Sequence, residues 1–236
     1  QPDSDAAFGP DGFVGDCCGD CPPSWRVRAN GFILRRENSE INFSTAFNLG
    51  ELGFEEGGRV SLIRQIDCLD AWEVAFIGPY RWEESGQVAG VGLTSRLSST
   101  TLNLSEFNNA TLHTQNYRSQ LNSLELNRRW FGWDVISTYA GIRYLNVGED
   151  YLFNSTGAVG AGVLAVETNN HLFGPQVGME LMFPLGRWMT TSTIKGGMFA
   201  NATDGNAFMI NNGILQFAAS DEDIEFAANV EFGYFV

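Results

Sequence analysis

The residues from Ala71 to Glu83 alternate between two kinds of side chain, and this alternation limits the folds open to the chain. Side chains two residues apart lie on the same face of a strand, so a period of two predicts a strand with two different faces. One predicted face is apolar and carries aromatic residues at both ends, as a lipid-facing band between two aromatic girdles does. That face holds Trp72, Val74, Phe76, Tyr80 and Trp82, and the other holds Glu73, Ala75, Arg81 and Glu83.

Seven further segments repeat this period of two, most clearly towards the end of the chain. In the last of them Phe226, Val230 and Phe232 share one face, while Glu225 and Glu231 share the other. Together the segments predict eight antiparallel strands. The other seven strands are predicted at Trp25–Arg36, Arg59–Ile66, Tyr117–Phe131, Asp134–Asn146, His171–Leu185, Trp188–Asn201 and Ile224–Val236.

The predicted connections alternate between short and long. Outer-membrane barrels show this pattern because their periplasmic turns are short and their outer loops long. We therefore predict an all-β, antiparallel up-and-down transmembrane β-barrel of at least eight strands; the competing architecture is a soluble β-sandwich. The short joins are Asp67–Asp70, Gly132–Trp133 and Gly186–Arg187, and the long ones are Glu37–Gly58, Glu84–Asn116, Val147–Glu167 and Ala202–Asp223.

Composition and chain ends point to an exported protein. The formal net charge of −14 argues against a nucleic-acid partner, which needs a basic surface. The sequence contains no run of about 20 apolar residues that would cross a bilayer as a helix. It begins with Gln, which indicates a removed export signal. We expect residues 1–24 to form a periplasmic leader, residues 25–236 a barrel in a bacterial outer membrane, and the acidic loops to lie outside the cell.

Charged side chains recur on the faces predicted to line the barrel. Mixed signs inside an eight-stranded barrel predict ion pairs that fill the lumen, which has little more room than its own side chains need. The alternative is a charged pore lining. The lumen-facing candidates are Arg26, Arg28, Glu73, Arg81, Glu125, Arg129, Arg143, Glu180, Lys195, Glu225 and Glu231. The aromatic girdle candidates are Trp72, Tyr80, Trp82, Tyr144, Trp188 and Tyr234.

The four cysteines are Cys17, Cys18, Cys21 and Cys68. Disulfides are expected in an oxidising compartment, and a periplasmic leader would lie on the same side as the short turn that contains Cys68. We predict a disulfide from Cys68 to one of the three leader cysteines, without a choice among them. Metal binding, free thiols and intermolecular thiols are the alternatives, although no second CxxC or nearby histidine completes a tetrahedral metal site.

No motif in the sequence marks a catalytic centre. His113 and His171 stand alone, and the chain contains no GxSxG, HExxH or phosphate-binding glycine loop, so we predict no enzymatic activity and no cofactor. Oxygen-rich segments of the predicted outer loops could hold Ca²⁺, although ordinary solvated loops explain them more simply. These segments are Asn146–Asp150, Asn201–Asn206 and Asp221–Asp223.

Three stretches resemble a known family. They read LELNRRWFGWDVISTYAGIRYLNVGED from Leu124, TNNHLFGPQVGMELMFPL from Thr168 and KGGMFAN from Lys195. They are similar to planctomycete outer-membrane β-barrel proteins of unknown function, the beta-barrel protein seven family. The resemblance spans most of Trp25–Val236 and implies a barrel. Because members of that family continue with further strands, it makes eight a minimum.

Two functions follow as expectations. The first is a structural or surface-exposed barrel whose outer loops, above all Glu84–Asn116, contact other envelope proteins or surface polymers. The second is a passive, porin-like channel for small solutes or ions. Outer-membrane lipid is an expected partner in both.

Overall fold

The structure is a computed structural model that describes residues 23–36, 42–50, 52–133, 135–158, 160–185 and 188–235. These residues form one sheet of eight antiparallel strands, each paired with its neighbour in the chain, as the sequence predicts. The strands are β1 (Ser24–Arg35), β2 (Phe54–Gln65), β3 (Asp70–Leu93), β4 (Ala110–Trp133), β5 (Ile136–Thr156), β6 (Ala161–Leu185), β7 (Trp188–Asn211) and β8 (Ile214–Phe235).

Residues 1–22 of the predicted leader, with Cys17, Cys18 and Cys21, lie outside the described residues. Ser24, the last residue of the predicted leader, begins β1. Cys68 lies in the short turn between β2 and β3 and is disulfide-bonded. Its pairing with Cys17, Cys18 or Cys21 stays a prediction.

The strict alternation of short and long connections is wrong. The joins at 36–53 and 94–109 are long, but those at 157–160 and 212–213 are tight. The β7–β8 hairpin turns on Asn212 and Gly213, whose φ values of 50° and 76° suit a two-residue type I′ turn. The sequence misled because β5 to β8 continue past the apolar band with polar residues on the convex face, such as Asp150, Glu167 and Asp204, where an apolar outward face no longer marks a strand.

A bulge in β3 reverses the order of its two faces. Ile77 pairs with Ser123 and Tyr80 with Leu121, so one extra residue of β3 is accommodated between them. An extra residue on one strand shifts every later side chain to the opposite face. Tyr80 and Trp82 are consequently buried and Arg81 is exposed, which contradicts their predicted positions on the girdle and in the lumen.

The sheet is curled so that side chains of distant strands meet on its concave face. Arg28 of β1 contacts Glu180 of β6, and Lys195 of β7 contacts Glu125 of β4. The edge strands β1 and β8 have no backbone pairing with each other among the described residues. The concave face holds the buried side chains and the convex face carries exposed apolar ones.

Candidate functional site

Ion pairs fill the part of the concave face nearest the turns that join β2 to β3, β4 to β5 and β6 to β7, which we call the short turns. Glu125 is at the centre of these ion pairs. Its carboxylate is fully buried and lies 2.5 Å from Lys195 Nζ, 3.0 Å from Arg59 and 3.6 Å from Arg143 Nε. These cations come from β7, β2 and β5, because inward-facing positions on several strands converge on the axis of a curled sheet. Glu125 therefore links four strands through one side chain.

Arg129 is the second centre of these ion pairs. Its guanidinium lies 2.5 Å from Glu73 and 3.1 Å from Glu180, and it donates to Ser137 Oγ at 3.2 Å. The ring of Tyr139 lies 4.9 Å from the guanidinium carbon, a cation–π distance. Each of the three guanidinium nitrogens of this buried cation thus has a hydrogen-bond partner.

We call these ion-paired side chains the charged network. Among the described residues it contains five cations and four carboxylates, so the charges almost balance. Buried charges are stable only when each is paired and hydrogen-bonded. Most of the pairs join non-neighbouring strands, and the network therefore holds the curl of the sheet. Its members are Arg28, Arg59, Glu73, Glu125, Arg129, Arg143, Glu180, Lys195 and Glu231.

An aromatic cluster fills the other half of the concave face. It joins inward side chains of β3 to β7 with one residue from each long connection, Leu52 and Phe107. Within it, the rings of Tyr80 and Trp82 stack at 5.8 Å, and Phe107 and Phe153 lie 5.7 Å apart. The cluster consists of Leu52, Ile77, Tyr80, Trp82, Phe107, Tyr117, Tyr151, Phe153, Leu164 and Met209.

The two long connections fold over this cluster and pair with each other. We call residues 42–50 and 94–109 the cap. Ser44 forms a bridge with Ser95, and the amide of Arg96 donates to the carbonyl of Phe43 at 2.7 Å. The ring of Phe43 packs 5.2 Å from that of Tyr151. The loops predicted to extend into solvent therefore cover the concave face instead.

His113 anchors the cap from β4. Its ring is fully buried against Phe153, and its Nδ1 lies 3.0 Å from the hydroxyl of the equally buried Ser44. Burial lowers the pKa of His113 below its ordinary value, because a charged imidazole would lose its hydration there. The neutral ring is the form that suits this contact.

Eight of the predicted lumen-facing residues belong to the charged network. Arg26 shares the concave face and donates to Gln65, whereas Glu225 lies on the same side of β8 as Glu231 but is exposed. Arg81 is on the convex face because of the β3 bulge. The eight residues that the structure brings together are Arg28, Glu73, Glu125, Arg129, Arg143, Glu180, Lys195 and Glu231.

Among the girdle candidates, Trp72, Tyr144 and Tyr234 are exposed on the convex face. The prediction is wrong for Tyr80 and Trp82, which are buried in the aromatic cluster. The side chain of Trp188 lies outside the described part of the structure.

Sequence reasoning missed Arg59, which contacts both Glu73 and Glu125. A signal for it was present, since Arg59 is in phase with Ser61 and opposite in phase to Val60 and Leu62. It also missed that the cap folds inward, because residues 42–50 and 94–109 show no sustained two-residue alternation of apolar and polar side chains.

Neither a metal centre nor a spanning helix is found in the part of the chain that the structure describes. No group of three His, Cys, Asp or Glu side chains there could hold a metal ion. No helix there is long and apolar enough to cross a membrane. The proposed Ca²⁺ segments Asn146–Asp150, Asn201–Asn206 and Asp221–Asp223 lie within β5, β7 and β8, so their placement in loops is wrong.

The convex face carries an apolar band that crosses all eight strands. One row of directly paired residues runs from Val60 through Phe76 and Leu124 to Tyr144 and Phe173. An exposed apolar patch of this extent marks contact with a membrane or another protein. The apolar band comprises Val27, Val60, Leu62, Trp72, Val74, Phe76, Leu124, Leu126, Ile142, Tyr144, Phe173, Val177, Ile194, Met198, Phe226, Val230, Phe232 and Tyr234.

Polar rows replace the apolar band towards the cap. Acidic residues meet across neighbouring strands there: Asp150 pairs with Glu167, and Asp204 with Glu222. All four side chains are exposed. Beyond the apolar band the convex face therefore carries acidic pairs, followed towards the ends of β5 and β7 by the exposed Leu152 and Phe208.

Comparison with protein-family models, with curated proteins and with solved structures finds no match to this chain. The resemblance to the planctomycete barrel family stays a prediction.

Proposed function

We propose that the chain is an outer-membrane β-barrel protein with a structural and surface-exposed role, and that its interior does not conduct. The observation that carries the proposal is the combination of an apolar band outside with a filled interior. A soluble β-sandwich reverses this arrangement, because it buries its apolar faces between two sheets.

The dimensions of the apolar band fit a bilayer. From Phe226 to Tyr234 it runs about 27 Å along β8, at about 3.4 Å per residue. A strand tilt of about 40° reduces this to about 20 Å along the membrane normal. Outer-membrane barrels have an apolar band about 25 Å tall.

The filled interior supports a structural role over a channel. The charged network occupies the half near the short turns, and the aromatic cluster with its cap occupies the other half. A solute would have to break buried ion pairs and displace Phe43 and Phe107. In the proposed orientation the short turns are periplasmic and the cap faces outward.

The surface role belongs to the strands that project beyond the apolar band. The convex faces of β5 to β8 carry Asp150, Glu167, Asp204 and Glu222 at that level. Such a surface fits basic groups of envelope proteins or of cell-surface polymers. We propose these strands as the contact surface in place of the segment Glu84–Asn116, because the part of that segment outside β3 and β4 belongs to the cap, which folds inward over the aromatic cluster.

Planar-bilayer recording after reconstitution tests the proposal. The protein is expected to float with the lipid and to give no stable current. A variant in which serine replaces Arg129, Glu73 and Glu180 serves as the comparison, since it opens the charged network while the apolar band stays intact. A steady current from the unaltered protein contradicts the filled interior, and failure to float contradicts the membrane assignment.

A further inference from the structure

Tryptophan and arginine alternate across β1 to β4 at the end of the apolar band nearest the short turns. Trp25 pairs with Arg64, Arg64 with Trp72, and Trp72 with Arg128. All four residues are exposed on the convex face. We call this row the Trp–Arg ladder.

The two arginines of the ladder differ in their partners. Arg128 is held by Asp70, with an N–O distance of 2.6 Å, and its guanidinium carbon lies 5.7 Å from the ring of Trp130. Arg64 lies over the ring of Trp25 at 5.4 Å, and within the described ranges it has no acidic partner. An exposed guanidinium thus stands between two tryptophans at the border of an apolar surface.

Within this row of paired residues, the positive charge is confined to strands β1 to β4. The same row of paired residues continues over β5 to β8 without any charge. Tilted strands explain this difference, since a row of paired residues then rises or falls relative to the membrane plane. The continuation consists of Ala140, Val177, Gly196 and Val230.

We propose that the Trp–Arg ladder binds the head-group phosphate of an anionic phospholipid in the leaflet next to the short turns. Tryptophan rings favour the head-group level of a bilayer. A guanidinium presents paired N–H donors that match phosphate oxygens. Arg64 supplies the charge, the tryptophans border the acyl chains, and Asp70 competes with phosphate for Arg128. This inference rests on the proposed membrane location.

The probe is brominated phosphatidylglycerol, compared with brominated phosphatidylcholine, in mixed bilayers containing the full chain. Quenching of tryptophan fluorescence gives the relative association of the two lipids. We expect a preference for phosphatidylglycerol that Arg64→Gln weakens about fivefold, the effect of one basic residue near an anionic surface. Arg64→Lys is expected to keep only part of it, because lysine keeps the charge but lacks the paired donors, and Asp70→Asn to strengthen it by releasing Arg128.

Arg81→Gln is the matched control, because Arg81 is also an exposed arginine of the convex face but lies beyond the apolar band. Its preference for phosphatidylglycerol should equal that of the unaltered protein. Equal preferences in all variants overturn the ladder as a lipid site, as does loss of the preference on adding inorganic phosphate. Loss of the preference for phosphatidylglycerol on adding an acidic peptide also overturns it, because the ladder would then bind a peptide and not a lipid. If the protein inserts into neither the bilayers with brominated phosphatidylglycerol nor those with brominated phosphatidylcholine, the proposed function itself fails.

Discussion

At the scale of single residues, the buried charged side chains stabilise the fold through ion pairs with residues on other strands. Glu125 contacts cations from three other strands, and Arg129 bridges two carboxylates. Removal of one partner of such a group leaves the others charged, unpaired and buried. Their contribution to stability should therefore far exceed that of exposed pairs.

Glu125→Gln is expected to reduce the free energy of unfolding by about 3 to 5 kcal/mol, the range for breaking a buried ion pair. Denaturant unfolding of the lipid-reconstituted protein measures this change. Glu83→Gln is the control, because Glu83 pairs with Arg118 where both side chains are more than half exposed; its effect should stay below about 1 kcal/mol. Equal effects of the two substitutions would show that the network does not stabilise the sheet.

The contact of His113 with Ser44 should make the cap sensitive to acid. The pKa of His113 is lowered in the folded protein by burial, so the folded state binds fewer protons than the unfolded state below about pH 6.5. Stability is then fully present above that pH and is lost as the pH falls. The protection factors of the amides in residues 42–50, which are their exchange rates corrected for the intrinsic pH dependence of amide exchange, should fall between pH 7 and pH 5. His113→Gln should remove this dependence, and an unchanged pH profile in that variant argues for another titrating group.

At the scale of elements, the two-residue period predicts strands wherever one face is apolar. It located all eight strands near the short turns, where residues such as Val74 and Leu126 lie on the convex face and Glu73 and Glu125 on the concave face. It failed beyond the apolar band, since a strand such as β7 is polar on both faces from Thr203 to Asn206, before its apolar end at Ala207–Ile210. The β3 bulge was also invisible, because the apolar residues keep the same phase through Trp82 while the extra residue turns Tyr80 and Trp82 inward.

The close approach of β4 and β5 depends on Gly141. A Cβ atom at this position would lie 2.0 Å from the backbone oxygen of Leu126 and 2.8 Å from Cα of Asn127, and backbone atoms cannot move aside easily. Gly141→Ala should therefore destabilise the protein by about 1 to 3 kcal/mol, as overpacking does.

Gly205→Ala is the matched control within β7, where the nearest atom would be 3.8 Å away. It should be neutral or slightly stabilising, because alanine restricts the unfolded chain more than glycine does. Thermal unfolding of both variants measures the difference, and a stable Gly141→Ala protein would mean that β4 and β5 can separate at this point.

At the scale of the whole molecule, the edges of the sheet decide whether it can reside in lipid. The convex side chains of β1 and β8, such as Val27 and Phe232, belong to the apolar band. Backbone groups of a lipid-exposed strand must all be hydrogen-bonded, since lipid offers no partners. A membrane location therefore requires both edges to be paired in the assembled barrel, with each other or with further strands.

Hydrogen exchange along β8 tests this requirement within one strand. In the bilayer, all amides from Phe226 to Phe232 should exchange slowly, because pairing on both sides of the strand protects them. The stretch from Leu215 to Ser220 is the internal control: it lies beyond the apolar band, where water can satisfy outward-pointing groups, and alternate amides there should exchange faster wherever the edge is open. Fast exchange of alternate amides between Phe226 and Phe232 would mean that the edge is unpaired at membrane depth, and the barrel assignment would then be wrong.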